Sequence, residues 1–516
     1  MNVLIINLTR FGDLIQTQPV ISGYKSRGHR VGLVCLENFA SATALLDGVD
    51  HVFPFPGAGL LAGIDADWRD AVRDSHQFRI DIFSSFLPDR TVNLTPSTAS
   101  RLLAFDLTPE NGTTIGFSVD EFGFNADTSS WAAFLQMAGS NRGSSPFNIC
   151  DLFRRTAGLG IEGNSLQLAV PDDLPVAGVD GLLIQAPEDY TGFVALQMGA
   201  SEDRRRWPIT HFVQTARMLW ERDHLVSILL GTKSEVALGE RFEAEADFPF
   251  INCIGATSLT ELACLLVRCA VLVTNDTGTM HLAAGLGVPV CAVFLATAQP
   301  WDTGPYRDGN ICLEPEMDCH PCEFGKICHL SEECRWAVTP EAMCAAVKIV
   351  LGDDDFNVVP GVRTWRTRTG ADGFMGLESL SGHDLSDRVL WIRLQRAYYL
   401  NFFDGIACEG KTGIAGQLSP EVACEILKTL TNAHDMLFLL SQQGMLLQKN
   451  PRPQAKTKFL ASWQRLQNIL AASDHLNILG LLWMFESQRC GDNFASLLIL
   501  TDRYRTLISS MRDEFM

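Results

Sequence analysis

The chain of 516 residues is long enough for two or three domains, and its 47% of hydrophobic residues excludes a largely disordered protein. Its formal net charge of -19 argues against general binding to nucleic acid or to anionic lipid, because the mean field of the protein repels phosphate. No run of about 18 apolar residues occurs, and charges interrupt the apolar N-terminus, so we expect neither a membrane span nor a signal peptide.

Short apolar runs alternate with helical patterns in the N-terminal part of the chain. This alternation predicts βαβ units and a parallel sheet. The runs that read as buried strands are residues 2–8, 30–36, 51–56 and 78–86. The helical patterns cover residues 14–25, 38–46 and, after an irregular stretch, 147–159.

A second alternation of the same kind follows prolines 171 and 175. Its predicted strands are residues 193–199, 226–231, 250–255, 270–276 and 288–294. We therefore expect an α/β protein with two Rossmann-like, doubly wound domains, residues 1–172 and 173–352. Ligands of such folds bind at the carboxyl ends of the strands, here in the cleft between the domains.

The C-terminal part of the chain has a different pattern. Glycine, proline and charged residues predict a linker over 353–381, and an all-helical domain is expected over 382–516. The amphipathic segments of that domain are residues 384–403, 419–447, 454–471, 474–487 and 492–513. Their apolar faces must pack within a bundle, on the other domains or on another subunit.

Two charged loops follow predicted strands. In the first, Gly12 permits a tight turn between Arg10 and Asp13, where the alternative for Asp13 is a helix N-cap. In the second, Arg205 is the middle of three consecutive arginines, and arginine suits a diphosphate because its planar fork donates paired hydrogen bonds. A solvated turn is the alternative there.

A third loop, residues 275–289, has the pattern strand, loop, helix. Its polar start places backbone N–H groups and hydroxyls at a helix N-terminus, which favours an anion, although an ordinary capped helix remains the alternative. The candidate ligand-binding residues are Asp276, Thr277, Gly278, Thr279 and, in the first helical turn, His281. All three loops are expected to face one cleft.

Four cysteines form a C-x2-C-x5-C-x5-C pattern, Cys319, Cys322, Cys328 and Cys334. Four thiolates suit tetrahedral zinc or iron, and a closed four-cysteine site is structural rather than catalytic. A loop of free thiols is the alternative.

The R-x-G-D loop followed by TQP (Arg10 to Pro19), the R-W-P segment (Arg206 to Pro208) and the N-D-T-G-x-x-H-L-A-A segment (Asn275 to Ala284) resemble glycosyltransferase family 9, the ADP-heptose heptosyltransferases, in order and spacing. The resemblance covers residues of about 1–350. It implies a GT-B fold with a cysteine finger at 312–336 and an inverting transferase that needs no catalytic metal.

The resemblance also implies roles for individual residues. Asp13 is the expected general base, and Arg10 and Gly12 are expected on the acceptor. The residues expected to bind the nucleotide sugar are Ser201, Arg205, Glu235, Asp276, Thr277, Gly278, Thr279 and His281. Similar cysteine groups in the family imply a structural zinc or iron ion.

The expected partners are ADP-heptose and an acceptor, with no nucleic acid. The frequency of functions in the family favours the lipopolysaccharide core as acceptor, whereas the cysteine finger favours a protein O-heptosyltransferase. A non-catalytic scaffold is a further alternative, against which the retained Asp13 argues. We expect a cytoplasmic protein, with peripheral attachment at the inner membrane as the alternative, and residues 382–516 as a candidate for homo-oligomerisation or acceptor docking.

Overall fold

The computed structural model describes residues 1–141, 145–160, 165–170, 176–353, 359–406, 410–491 and 493–516. The chain divides into two compact units. Unit 1 comprises Met1–Phe124 and Phe147–Ser381, and unit 2 comprises Asn125–Pro146 and Gly382–Met516. The domain boundary predicted between residues 172 and 173 lies outside the described residues.

The first sheet of unit 1 is parallel, with strand order β3-β2-β1-β4-β5. Its strands are β1 (Asn2–Asn7), β2 (Arg30–Leu36), β3 (His51–Phe55), β4 (Arg90–Asn93) and β5 (Thr113–Gly116). The helices of this part are α1 (Phe11–Ile15), α2 (Gln18–Ser26), α3 (Gly57–Ser85), α4 (Thr98–Asp106) and α6 (Ile149–Thr156), with a 3-10 helix over Glu37–Leu45. The central β1 is buried from its second residue onward, as a strand covered on both faces should be.

The second sheet of unit 1 has the order β13-β12-β11-β10-β9-β6-β7-β8. Its parallel strands are β6 (Gly192–Gln197), β7 (Leu225–Leu230), β8 (Phe250–Asn252), β9 (Val271–Asn275), β10 (Val290–Val293) and β11 (Ile311–Pro315). The helices around it are α7 (Val176–Leu183), α8 (Ile209–Asp223), α9 (Val236–Glu245), α10 (Leu259–Leu266), α11 (Gly278–Leu286), α12 (Pro300–Thr303), α13 (Cys334–Ala337) and α14 (Pro340–Val350). The order reverses between β6 and β9, which places the ends of these two strands at the crevice where such sheets bind ligands.

The strand predicted over residues 78–86 is wrong, because this segment is the end of α3. Phe78, Ile82 and Phe86 are spaced by four residues and pack into the core of the first sheet. A four-residue spacing puts side chains on one face of a helix, and here it also produces the alternation that resembles a strand. The fourth strand is β4, which begins four residues after Phe86.

The linker predicted over residues 353–381 is also wrong. This segment contains β12 (Val362–Thr369) and β13 (Met375–Ser379), which extend the second sheet by antiparallel pairing on β11. Trp365 is buried, and its indole Nε1 donates to the buried carboxylate of Glu314 at 2.8 Å. The buried positions of β12 are divided between apolar residues and threonines, so the composition of this segment does not reveal the strand.

Unit 2 is helical. It contains α15 (Asp387–Asp404), α16 (Pro420–Lys449), α17 (Pro453–Ala471), α18 (Asn477–Arg489) and α19 (Phe494–Glu514), close to the predicted segments. It also contains α5 (Ser130–Ser140), which the sequence analysis had assigned to the first domain. Trp131 and Phe134 of α5 make ring contacts with Phe403 of α15, and this packing explains the assignment to unit 2. Among the described residues, no helix combines the length and the apolar character needed to cross a bilayer.

Replacement of Trp365 by alanine tests whether β12 is part of the core. We expect Trp365→Ala to lower the free energy of unfolding by about 3–5 kcal/mol, because a large buried ring is removed and Glu314 loses a hydrogen-bond donor. The control is Arg368→Ala on the same strand, whose side chain is exposed and should change stability by less than about 0.5 kcal/mol. Equal midpoints of urea unfolding for both variants would contradict this assignment of β12.

Candidate active site

The loop that ends β1 holds Asp13 in a fixed backbone position. Asn7, the last residue of β1, donates from Nδ2 to the carbonyl oxygen of Asp13 at 3.2 Å and to Thr17 Oγ1 at 2.7 Å. The Thr17 hydroxyl donates to the same carbonyl oxygen at 3.1 Å. The N-cap of α1 is the exposed Arg10, and Asp13 lies in the first turn, so the alternative of an N-cap aspartate does not hold. Two buried polar side chains therefore fix the backbone of the candidate base.

The first and third candidate loops meet through two glycines. A Cβ atom on Gly12 would lie 3.3 Å from the Cα of Gly278 and 3.3 Å from Cδ2 of His281. A Cβ atom on Gly278 would lie 2.5 Å from Cδ1 of Phe11. The backbones of α1 and α11 thus approach as closely as only glycine allows. This contact brings Asp13, from the first sheet, next to the N-terminus of α11, from the second.

The N-terminus of α11 has the form expected of an anion site. Thr277 is the N-cap with an extended backbone, and its hydroxyl lies 3.1 Å from the hydroxyl of Thr274. Thr279 donates from its hydroxyl to Gln197, the last residue of β6, at 3.3 Å. The first N–H groups of a helix have no partner within it, and the helix dipole favours negative charge at that end. His281 is buried in the first turn of this helix.

The second candidate loop is joined to the third by an ion pair. The guanidinium of Arg205 forms a close salt bridge with Asp276 and donates to the hydroxyl of Ser201 at 3.0 Å. Both charged side chains are about nine-tenths buried, with 11% and 9% of their surface exposed. The buried Nε of Arg205 has no hydrogen-bond partner among the described residues. Arg205 is therefore a fixed cation with an unused donor, and its orientation depends on Asp276.

Asn275 explains why these two loops lie together, and sequence reasoning did not single it out as a site residue. Its buried Oδ1 accepts from the backbone N–H of Trp207 at 2.9 Å. Its Nδ2 donates to the carbonyl oxygens of Met198 and Gly199, at 3.0 Å each. The signal was present, because Asn275 opens the Asn-Asp-Thr-Gly motif, just as Thr17 belongs to the Thr-Gln-Pro motif.

Glu235 follows the carboxyl end of β7, and its two carboxylate oxygens make different contacts. Its Oε2 accepts from the backbone N–H of Thr232 at 2.6 Å, which forms a capping box for a short 3-10 helix. Its Oε1 lies against Gly199, so closely that a Cβ atom there would be 1.4 Å from that oxygen. Glu235 thus adjoins the loop of Ser201 and Arg205, although part of its carboxylate is used locally.

The cysteine segment packs against the arginine loop. Arg335 donates from Nε to the carbonyl oxygen of Arg206 at 2.9 Å, and Arg204 donates to the carbonyl oxygen of Lys326 at 3.2 Å. Cys322 donates from its backbone N–H to Ala296, in the loop after β10, at 2.8 Å. The segment therefore connects two loops on the side of the candidate site.

The thiols of this segment are near enough to influence one another. Burial, reinforced by the charges of Cys319 and Cys328, raises the pKa of Cys322, and burial raises the pKa of Cys334 to about 11. Among the described residues, however, no three His, Cys, Asp or Glu side chains are placed so that they hold a metal ion. His320 is turned away to a buried hydrogen bond with Glu314 at 3.1 Å. The side chains of this segment would therefore need to rearrange before they could bind a metal.

Gly278→Ala tests the contact between α1 and α11. We expect it to lower the free energy of unfolding by about 1–3 kcal/mol, because the new methyl overlaps the ring of Phe11. The control, Gly59→Ala in α3, has no atom within 4 Å of the new methyl and should raise stability by about 0.5–1 kcal/mol. Thermal melts of both variants measure the two opposite signs, and a stabilised Gly278→Ala would contradict the close approach.

Residues 152–331 match the model of glycosyltransferase family 9 (heptosyltransferase). A lipooligosaccharide heptosyltransferase 2 of Haemophilus influenzae is 34% identical over 109 residues, which are 20% of this chain and 31% of that protein. The protein of the same name from Haemophilus ducreyi is 32% identical over 143 residues, 24% of this chain and 40% of that protein. The chain thus spans less than half the length of these relatives.

The fold comparison covers more of the chain. A crystal structure of a family 9 glycosyl transferase from Veillonella parvula matches with a TM-score of 0.57 at 17% identity, over 68% of this chain and 97% of that one. This likeness confirms the expected α/β architecture with two Rossmann-like sheets. The segment that matches the family model, residues 152–331, contains the arginine loop and the Asn-Asp-Thr-Gly loop. Residues 152–331 therefore carry a domain that matches glycosyltransferase family 9, the family that the motifs resemble.

Proposed function

We propose that the chain is an inverting heptosyltransferase that moves a heptose from ADP-heptose to an acceptor hydroxyl. The observation that carries this proposal is the contact of Gly12 with Gly278, which brings the backbone next to Asp13 to the helix N-terminus that we propose as the anion site. The names of the relatives, heptosyltransferases of lipooligosaccharide, support heptose as the sugar. The family's usual donor supports ADP-heptose.

In the proposed reaction, Asp13 accepts the proton of the acceptor hydroxyl. The oxygen then attacks the anomeric carbon from the face opposite the diphosphate, and the bond from that carbon to the diphosphate oxygen breaks. The electron pair leaves with ADP, and the configuration at the carbon inverts. The scheme uses no metal, because Asp13 takes the proton and groups of the protein are proposed to stabilise the negative charge of the leaving diphosphate.

The leaving diphosphate gathers negative charge as that bond breaks. The N–H groups of Gly278 and Thr279 and the guanidinium of Arg205 are the groups proposed to stabilise it, because preorganised donors act most strongly on charge that develops in the transition state. The unused Nε of Arg205 supports this role. Asp276 contributes indirectly, since its carboxylate holds Arg205. Ser201, Thr277, His281 and Glu235 border the same loops and complete the proposed donor site.

The acceptor has two candidates. The relatives' names favour the lipopolysaccharide core, for which Arg10, exposed at the start of α1, is the proposed contact with an acidic acceptor sugar. The cysteine segment beside the arginine loop favours the second candidate, serine residues of a protein. Both acceptors use the same base and donor site. The proposed location is the cytoplasm, where nucleotide sugars are made.

Asp13→Asn separates catalysis from binding. We expect kcat to fall by about 10²–10⁴-fold, because the amide cannot take the proton, while ADP-heptose binds with an affinity within about threefold of the original. Calorimetric titration with ADP-heptose, GDP-mannose and UDP-glucose, combined with transfer assays on core oligosaccharide and on a serine-containing peptide, measures both quantities.

The matched control for that variant is Asp74→Asn, an exposed carboxylate on α3 in the same lobe, which should change neither quantity. Equal turnover by Asp13→Asn would reject Asp13 as the base. Failure of all three donors to bind would favour the non-catalytic scaffold.

A structural metal at the cysteine segment is a further part of the proposal. The four thiols have the chemistry for zinc or iron, and binding would require their deprotonation and a closer approach of their sulfur atoms. We expect about one metal ion per chain in protein purified without chelators, and its loss in Cys322→Ser. Elemental analysis measures this directly, with Cys424→Ser, an exposed cysteine of α16, as the control that keeps the metal. A metal-free native protein would reject the site.

A further inference from the structure

The outward face of α16 in unit 2 carries a row of exposed apolar side chains. Phe438, Leu439, Met445 and Leu446 are exposed to 51%, 41%, 43% and 65%. The opposite face of the helix is packed: a Cβ atom on Gly444 would touch Leu498 of α19 and Phe459 of α17. The row is thus a second apolar face on a helix whose core face is already used within unit 2.

The spacing of the row is that of a helix-pairing surface. Phe438 and Met445 are seven residues apart, and so are Leu439 and Leu446. Apolar residues that repeat every seven positions stay on one side of a helix and form a continuous seam for a second helix. Gln442 is exposed in the middle of this seam, and we name Phe438, Leu439, Gln442, Met445 and Leu446 the α16 seam.

We propose that the α16 seam binds the α16 seam of a second copy of the chain, with the two helices antiparallel. A twofold axis at Gln442 places Phe438 opposite Leu446 of the second copy and Leu439 opposite Met445 of the second copy. The two glutamine amides meet at the axis, where each can donate to and accept from the other. Such a self-complementary patch is the requirement for a closed dimer.

The charges at the ends of the seam fix the direction. Asp435 and Lys449 lie on the same face of α16, each seven residues from Gln442, and both are exposed. In the antiparallel arrangement, Asp435 of one copy faces Lys449 of the other at both ends. A parallel arrangement would place like charges opposite each other at both ends, which is unfavourable. The helix dipoles also oppose one another only in the antiparallel pair.

The charge around the α16 seam favours a second copy of the chain over a membrane, and the size of the seam indicates a weak dimer. The same face of α16 carries two exposed acids, Glu421 and Asp435, and two exposed bases, Lys428 and Lys449, so it has no excess of positive charge. The net charge of -19 on the chain also disfavours an anionic membrane. A single helix pair is small compared with the roughly 800 Å² per partner of a standard interface. We therefore expect a reversible dimer with a micromolar dissociation constant. This inference does not depend on the proposed enzymatic activity.

Sedimentation velocity on the full chain tests the proposal. We expect a monomer–dimer equilibrium between about 1 and 100 micromolar, and Leu446→Glu should weaken it at least about tenfold, because the new carboxylates would be buried against apolar groups. The control is Leu61→Glu on α3, where an equally exposed leucine lies outside the seam and the dissociation constant should not change. A wild-type protein that stays monomeric, or a dimer unaffected by Leu446→Glu, would overturn the proposal.

A charge swap tests the antiparallel register separately. Asp435→Lys and Lys449→Asp should each weaken the dimer by about tenfold, since each turns two attractive pairs into repulsive ones. The double variant exchanges the charges and should recover the original dissociation constant to within about threefold. Asp435 and Lys449 are exposed in the single chain, so these substitutions should leave the thermal melts, and hence the folding of the chain, unchanged. Failure of the double variant to recover the dimer overturns the antiparallel arrangement.

Discussion

The candidate site depends on the close approach of two backbones, Gly12 and Gly278, which leaves little room for a side chain at either position. Each glycine lies just after a central strand of its own sheet, so the contact brings loops from the two sheets together in one candidate site. Sheets of this kind bind ligands at their carboxyl ends because loops and helix N-termini converge there. Here helix α1, which follows a strand of one sheet, contacts helix α11, which follows a strand of the other. The loop of Asp13 and the helix terminus proposed to bind the diphosphate become neighbours as a direct consequence.

Buried amide side chains make this geometry rigid. Asn7 and Asn275 are the last residues of β1 and β9, and each is hydrogen-bonded to backbone groups of the loop beside it. A buried polar group that lost these partners would be costly, so the loops have few other conformations. The charged residues can then remain unsatisfied in part, as the Nε of Arg205 is, without disturbing the fold. The buried asparagines thus fix the loops, and the Nε of Arg205 keeps a donor that is not used within the protein.

The sequence was sufficient for the architecture where apolar runs were short and separated by helices, as around β6 and β9. It failed where one pattern had two interpretations. The segment ending in Phe86 alternates like a strand, yet its four-residue spacing packs as a helix, and only the tertiary core decides between them. Trp365 lies among arginines and threonines that resemble a linker, and the free edge of β11 makes the segment a strand. The motifs made Arg205 and Asp276 candidate site residues, but they did not indicate the ion pair between the two, because loops distant in sequence meet only in the fold.

The cysteine segment has a consequence for the site that its motif alone does not reveal. Arg335 and Lys326 tie the segment to the backbone of Arg206 and to the side chain of Arg204, on either side of Arg205. Any rearrangement that brought the four thiols together would therefore pull on the arginine loop from both flanks. A structural metal would then change where the guanidinium of Arg205 lies, although the metal itself would take no part in the reaction. In this way the cysteine segment, which contacts no substrate, would still influence the affinity of the arginine loop for the proposed diphosphate.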